Sequence, residues 1–314
     1  MPEDFFSPKP WFLWALAAAC CLPGVTPPMA LGLGLALALT VGNPRPTLTV
    51  KVQQYLLQAS VVGLGFGLKL DAVGRAGVTG AWATALSLIL TVLLGWGLAK
   101  LLKVERITGQ LITTGTAICG GSAIAAMGPV LGANPREMSV ALGCVFILNA
   151  IALFVFPVAG HWAGLGPLDF GYWAAMAIHD MSSVAGAAAR YAPEALATAV
   201  PVKLARALWI LPLVAAAAML VRRETRPQVP WFVGLFLLAS AMATYLPAGE
   251  AAWSTLTGAA RKGLTVTLFL IGAGLSREAL RDVGWRPMLQ AIILWVIVSV
   301  TSLGAVLWWA GTHL

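Results

Sequence analysis

Three stretches of the chain place reactive or charged side chains inside apolar surroundings. The first reads Thr113-Thr114-Gly115-Thr116-Ala117-Ile118-Cys119-Gly120-Gly121-Ser122-Ala123-Ile124-Ala125-Ala126-Met127-Gly128-Pro129. In a helix interior glycine costs about 1 kcal/mol and proline about 3 kcal/mol. An apolar segment this rich in Gly, Thr and Pro predicts a helix broken near Gly115 to Gly121. Non-helical backbone at membrane depth is tolerated only where protein buries it or where it lines a watery cavity. The half-helix after the break would aim free N–H groups and a positive dipole end into that space, which is anion-binding chemistry. Thr116, Cys119, Gly120, Gly121 and Ser122 are therefore candidate anion contacts. The competing reading is close helix packing through small residues.

The second stretch is Ala177-Ile178-His179-Asp180-Met181-Ser182-Ser183-Val184. An ionisable group at depth is expensive enough to suggest a role, and Asp180 is the one acid the hydropathy pattern places there. His179 beside it could relay a proton, so His179 and Asp180 are the candidate ion-coupling pair, with Ser182 and Ser183 as further hydroxyl ligands. Two structural alternatives stand beside that reading: Asp180 could pair with Arg206 or Lys262, or it could cap a half-helix through its side chain. The third stretch is Pro201-Val202-Lys203-Leu204-Ala205-Arg206. Lys203 and Arg206 are three residues apart, on one helix face. Arg261 and Lys262 sit at similar depth in another apolar segment. Snorkelling explains Lys203 and Arg261; Lys203, Arg206 and Lys262 are carried forward as counter-charge for an oxyanion, which an arginine fork suits.

These residues need helices to position them, and the composition says which kind. Of 314 residues, 59% are hydrophobic and 10% charged, yet 20 Lys and Arg outnumber 12 Asp and Glu for a net charge of +8. Soluble domains carry about 25% charge, so the chain belongs in a bilayer. Ten or eleven spans of about 20 residues would use most of it, which predicts one transmembrane domain over 1–314, no soluble domain and no nucleic-acid-binding face. The apolar run from Trp11 to Leu22 ends at Pro23-Gly24 without a small-x-small cleavage pattern and is expected to be retained. Cys20, Cys21, Cys119 and Cys144 lie in apolar stretches without metal-type spacing, so neither a disulfide framework nor a zinc site is expected. No cofactor is expected, and no phosphate-binding Gly-x-x-x-x-Gly-Lys loop is present.

Apolar runs give spans near 11–22, 29–41, 52–68, 79–99, 108–130, 138–158, 168–189, 198–221, 231–246, 253–275 and 287–310, the first two short enough to form one hairpin. Lys and Arg accumulate in cytoplasmic connectors. With eleven spans and a cytoplasmic N-terminus, twelve of the 20 basic residues fall on one side and four on the other, those four being Lys69, Arg75, Arg136 and Arg190. The remaining bases are Lys203, Arg206, Arg261 and Lys262. An echo between Gly67-Leu68-Lys69-Leu70-Asp71 and Gly274-Leu275-Ser276-Arg277-Glu278, each following one apolar span and preceding another, predicts inverted repeats. On this map the segments 108–130 and 168–189 run in the same direction, whereas crossed helices of an inverted pair oppose. Either one segment is re-entrant, or the count between them is off, or one alone is broken.

The Gly115-to-Ala126 run, His179-Asp180-x-Ser-Ser-Val184, Lys203-Leu204-Ala205-Arg206 and Val229-Pro230-Trp231-Phe232 together resemble the YeiH family (UPF0324) of bacterial inner-membrane proteins, which carries a sulfate-exporter label. The likeness runs from about residue 29 onward. Asp180 and Ser183 stand where many members are expected to carry Glu and Gln, which keeps the acid and shortens it. The resemblance implies an all-α, multi-pass inner-membrane secondary transporter, related in architecture to antiporter and bile-acid-transporter folds with crossed discontinuous helices. The residues and the resemblance together give a carrier of a small inorganic or organic anion such as sulfate or an organosulfonate, coupled to H+ or Na+. A homodimer is compatible with the small-residue faces. Rival readings are a cation antiporter of the same architecture using Asp180, an anion channel and, last, an intramembrane enzyme, for which the three separated histidines offer no metal pattern.

Overall fold

The computed structural model describes residues 10–221, 231–246, 249–274 and 283–312. They form fourteen α-helices: α1 (Pro10–Ala19), α2 (Pro27–Thr40), α3 (Pro46–Gly65), α4 (Leu70–Leu101), α5 (Arg106–Ala117), α6 (Gly121–Leu131), α7 (Pro135–Trp162), α8 (Pro167–Ala177), α9 (Met181–Tyr191), α10 (Leu196–Leu208), α11 (Ile210–Val221), α12 (Trp231–Tyr245), α13 (Glu250–Gly274) and α14 (Trp285–Thr312). A short 3-10 turn, Pro193–Ala195, precedes α10. Proline opens α2, α3, α7 and α8, where its missing N–H costs nothing and its fixed φ suits the first turn. Four described helices, or up to five if a bent pair counts as one, are long and apolar enough to cross a membrane. The chain is an all-α polytopic membrane protein. The domain expected over 1–314 divides into two compact units, one of Met1–Leu70 and Phe232–Leu280, the other of Asp71–Trp231 and Arg281–Leu314. The second half of the repeat echo, residues 275–282, lies outside the described residues.

In the first unit α13 is the central helix, and small residues let its backbone meet α2 and α3. A Cβ at Gly34 would lie 2.0 Å from the Phe269 carbonyl oxygen, and one at Gly272 would lie 2.4 Å from that of Leu31. Against α3, Gly263 meets Ser60 and Gly63 meets Ala260 in the same way. Such contact replaces the hydrophobic drive that is missing between helices in lipid. Asn43 Nδ2 donates to the Ala273 carbonyl at 3.0 Å and fastens the end of α13.

The second unit is laid out along α7, whose 28 residues extend ~42 Å at 1.5 Å per residue. A reciprocal capping box starts it: Glu137 N donates to Asn134 Oδ1 at 2.9 Å and Asn134 N to Glu137 Oε2 at 2.7 Å. Alongside its first half lies α6, with Gly128 against Met138 and Gly121 against Leu142 and Phe146. Alongside its second half lie both α8 and α9. Phe156 stacks on Trp173 with ring centroids 4.4 Å apart, and Gly160 meets both Phe170 and Tyr191.

The break expected in 108–130 falls at 118–120, a second break falls at 178–180 within 168–189, and both segments fold back. Phe170 near the start of α8 stacks on Tyr191 at the end of α9 at 3.9 Å; an unbroken helix would hold these positions ~31 Å apart. A Cβ on Gly115 would lie 2.9 Å from Ile124 Cδ1, against ~13 Å between backbones in an unbroken helix. Ile107 near the start of α5 shares one apolar cluster with Val130 and Leu131 at the end of α6. Each broken segment is thus a helical hairpin. Because α6 leads into the start of α7 and α8 leaves its end, the hairpins enter from opposite ends.

That geometry resolves the conflict of direction in the span map: both segments are re-entrant, and α5 and α8 oppose each other. It also corrects one basic residue. Since α5/α6 returns to the end it came from, Arg136 shares that end with Lys100, Lys103 and Arg106, whereas Arg190 stays at the other.

Candidate functional site

The tips of the two hairpins meet beside the middle of α7. At Gly120 the backbone adopts φ +66° and ψ −122°, a combination closed to residues with a Cβ, and its N–H donates to the Gly115 carbonyl at 2.8 Å. A Cβ at Gly120 would be 3.6 Å from both the His179 carbonyl carbon and the Asp180 nitrogen, and 3.2 Å from Val145. One turn further along α7, Asn149 Oδ1 accepts from the backbone N–H groups of His179 (3.1 Å) and Asp180 (3.3 Å). The second tip is therefore pinned to α7 by one amide oxygen.

Four helix ends converge here, and three are neutralised. The C-terminal carbonyls of α5 and α8 carry negative partial charge and take the buried bases of α10. Arg206 Nε donates to the Ala117 carbonyl at 2.8 Å and Nη2 to that of Thr116 at 3.1 Å, while Nη1 donates to that of Met176. Lys203 Nζ donates to the carbonyls of Ile178 (2.6 Å) and Ala175 (3.3 Å). The N-terminus of α9 is covered by Asp180, which accepts from Ser182 N at 3.0 Å and Ser183 N at 3.3 Å through Oδ2, and from the Ser182 hydroxyl. Gly120 gives the N-terminus of α6 no side-chain cap; within its first turn the Ala123 N–H reaches the Cys119 thiol. Ser122, exposed in its first turn, donates to the Cys119 carbonyl at 3.3 Å and lies 2.8 Å from Cys119 Sγ.

These positions revise several expectations. Arg206 and Lys203 do reach the joint, but they spend three and two N–H bonds on main-chain carbonyls rather than standing free as an oxyanion fork. Asp180 is a half-helix cap; among the described residues the one ion pair is Arg75 with Asp71. Ser182 and Ser183 are buried in the first turn of α9. Lys262 belongs to the first unit, where its ammonium donates to the Leu22 carbonyl at 3.0 Å. No cluster of three His, Cys, Asp or Glu that could hold a metal occurs among the described residues.

Two polar residues of this unit were not anticipated. Asn149 is an isolated amide in a long apolar run, a signal usually read as interhelical glue. Gln290 of α14, fully buried, donates through Nε2 to the carbonyls of Gly95 and Gly109, both at 3.1 Å, and to Thr113 Oγ1 at 3.2 Å. It ties α4 and the base of the first hairpin to α14.

Fold and site define a class: a helical membrane protein whose polar centre is built from two opposed hairpins held by buried basic side chains. The chain belongs to the family described as conserved hypothetical protein 698, whose model matches residues 10–291. It is 50% identical over 282 residues to a UPF0324 membrane protein of Bacteroides thetaiotaomicron, covering 89% of this chain and 86% of that one. It is also 50% identical over 290 residues to UPF0324 membrane protein GSU2818 of Geobacter sulfurreducens, covering 92% and 94%. UPF0324 membrane protein Bd1437 of Bdellovibrio bacteriovorus is 45% identical over 298 residues, covering 93% and 92%. No solved structure matches.

Proposed function

We propose that the protein is a secondary transporter that carries a small oxyanion, of the sulfate or organosulfonate class, by alternating access through the joint between the two hairpin tips. The observation that carries this reading is the uncapped N-terminus of α6 at a joint whose other three helix ends are neutralised. Free N–H groups and the dipole end there favour an anion, and opposed broken helices at mid-depth are where secondary transporters hold their cargo. In this reading Gly120, Gly121 and Ser122 contact the anion, while Arg206 and Lys203 set the local potential through the helix ends they hold. His179 and Asp180 couple H+ or Na+ to the cycle. In this reading the end that gathers Lys100, Lys103, Arg106 and Arg136 faces the cytoplasm of a bacterial inner membrane, which the positive-inside rule supports.

The test is uptake of radiolabelled sulfate into proteoliposomes, with and without an inward pH or Na+ gradient. Saturable uptake that an imposed gradient accelerates and that unlabelled sulfonate inhibits is expected. Single-channel currents, or uptake of Na+ unaffected by any anion, would contradict the carrier and replace it with a pore or a cation antiporter.

A further inference from the structure

The joint has a second, dry side, of whose polar groups only His179 has been given a part in the cycle above. Among the described residues, Thr116 Oγ1, Asn149 Nδ2 and both ring nitrogens of His179 are buried and have no hydrogen-bond partner. All three side chains are almost fully buried, at 0%, 3% and 1% exposed, and a buried polar atom left unpaired is costly enough to need a reason. Neighbouring hydroxyls show how easily Thr116 could have been satisfied. Thr113 and Thr114 donate to the carbonyls four residues earlier, Gly109 and Gln110, at 2.7 and 2.8 Å. Thr116, on the same helix and in its last turn, does not.

The three groups come from the three elements that meet at the joint. Thr116 lies in the last turn of α5 and gives its carbonyl to Arg206. Asn149 stands one turn beyond Val145, which lies against Gly115 and Gly120. His179 is in the break between α8 and α9, and its backbone N–H is held by Asn149 Oδ1. Because that oxygen is committed to the second tip, the orientation of the Asn149 amide is set and its NH2 is left to donate elsewhere. Thr116 and His179 each add a group able to donate.

We propose that Asn149, with Thr116 and His179, forms the specificity-determining half of the binding site, donating to the distal oxygens of a polyatomic oxyanion whose proximal oxygen lies at the N-terminus of α6. This inference rests on the anion-carrier reading. A monatomic halide could be served by the α6 amides alone, whereas sulfate or a sulfonate presents oxygens on opposite sides, one set for each group of donors. A site built to hydrogen-bond a ligand group discriminates strongly against ligands lacking it, because its buried donors then stay unpaired.

Purified full-length protein is titrated with sulfate, methanesulfonate, formate and chloride at constant ionic strength, and the shift in thermal unfolding is read as binding. The wild type is expected to respond to the oxyanions and not to chloride. Asn149→Asp keeps an acceptor for His179 N and Asp180 N but loses the donor, and should weaken sulfate binding at least tenfold. Thr116→Val removes one unpartnered hydroxyl without adding charge, should melt as the wild type does without ligand, and should weaken sulfate several-fold. Unchanged sulfate affinity in either variant, or a chloride response equal to that of sulfate in the wild type, overturns the inference while leaving an anion carrier standing. A wild type that responds to none of the four anions overturns the carrier reading and this inference with it.

Discussion

Arg206→Ala should unfold the joint and abolish transport together. The guanidinium lies at 0% exposure and satisfies carbonyls at the ends of both hairpins, those of Thr116, Ala117 and Met176. Removing it leaves three buried acceptors facing nothing and two helix C-termini without counter-charge. Each orphaned buried group costs roughly 1–3 kcal/mol, and loss of one side of a buried charged contact typically costs about 3–5 kcal/mol, so a loss of about 4 kcal/mol or more is expected. Arg206→Lys keeps the charge but has a single ammonium in place of a planar fork; it should be intermediate, holding one hairpin better than the other. Thermal unfolding in detergent, with limited proteolysis at 118–120 and 178–180, checks this. A variant as stable as the wild type and still closed to protease would mean that Arg206 does not hold the two hairpins together.

The second large effect is expected at Gly120. Alanine there meets a backbone at φ +66° and ψ −122° that costs about 1–3 kcal/mol to hold with a side chain, and its Cβ would press on Val145 at 3.2 Å. Relaxing that strain re-aims the first amides of α6, and a displacement of about 1 Å at a binding site can cost 10²-fold. Gly120→Ala is therefore expected to stay folded but to lose roughly 30-fold or more in sulfate uptake. Gly132→Ala is the control. Gly132, in the left-handed region at φ +70° and ψ 34°, ends α6 away from the joint, so alanine should cost about 1–2 kcal/mol and leave uptake nearly unchanged. Equal loss in both variants would mean that Gly120 matters for stability alone.

The two breaks were legible to different degrees, for physical reasons. Around Gly115 to Gly121 the density of glycine and threonine makes a continuous helix costly, so the interruption could be read directly. At Ile178-His179-Asp180 no glycine or proline marks the break; the signal is Asp180 followed by Ser182 and Ser183, the pattern of a helix cap, which is also the pattern of a coupling acid. In the structure Asp180 makes the cap bonds. Whether a broken segment crosses or returns leaves no trace in hydropathy, because both halves are equally apolar. That was decided by side-by-side contacts, Gly115 with Ile124 and Phe170 with Tyr191. The depth of Arg206 was apparent from its neighbours, whereas Lys203, expected to snorkel, is instead fully buried; the targets of both are main-chain carbonyls, which no side-chain motif announces. Asn149 escaped notice because its value lies in what it holds across the fold.

An oxyanion at the joint would sit between the start of α6 and the break at His179. Selenate is isosteric with sulfate and scatters strongly, so the direct measurement is an experimental structure of the protein with selenate, located by selenium anomalous scattering. A peak within hydrogen-bond distance of the Gly121 and Ser122 amides and of Asn149 Nδ2, absent in the Asn149→Asp variant, is the predicted result. Full selenate binding with the peak elsewhere in the protein, or a density at the joint whose ligands are carbonyls and the Asp180 carboxylate, would contradict the account and make the cargo a cation.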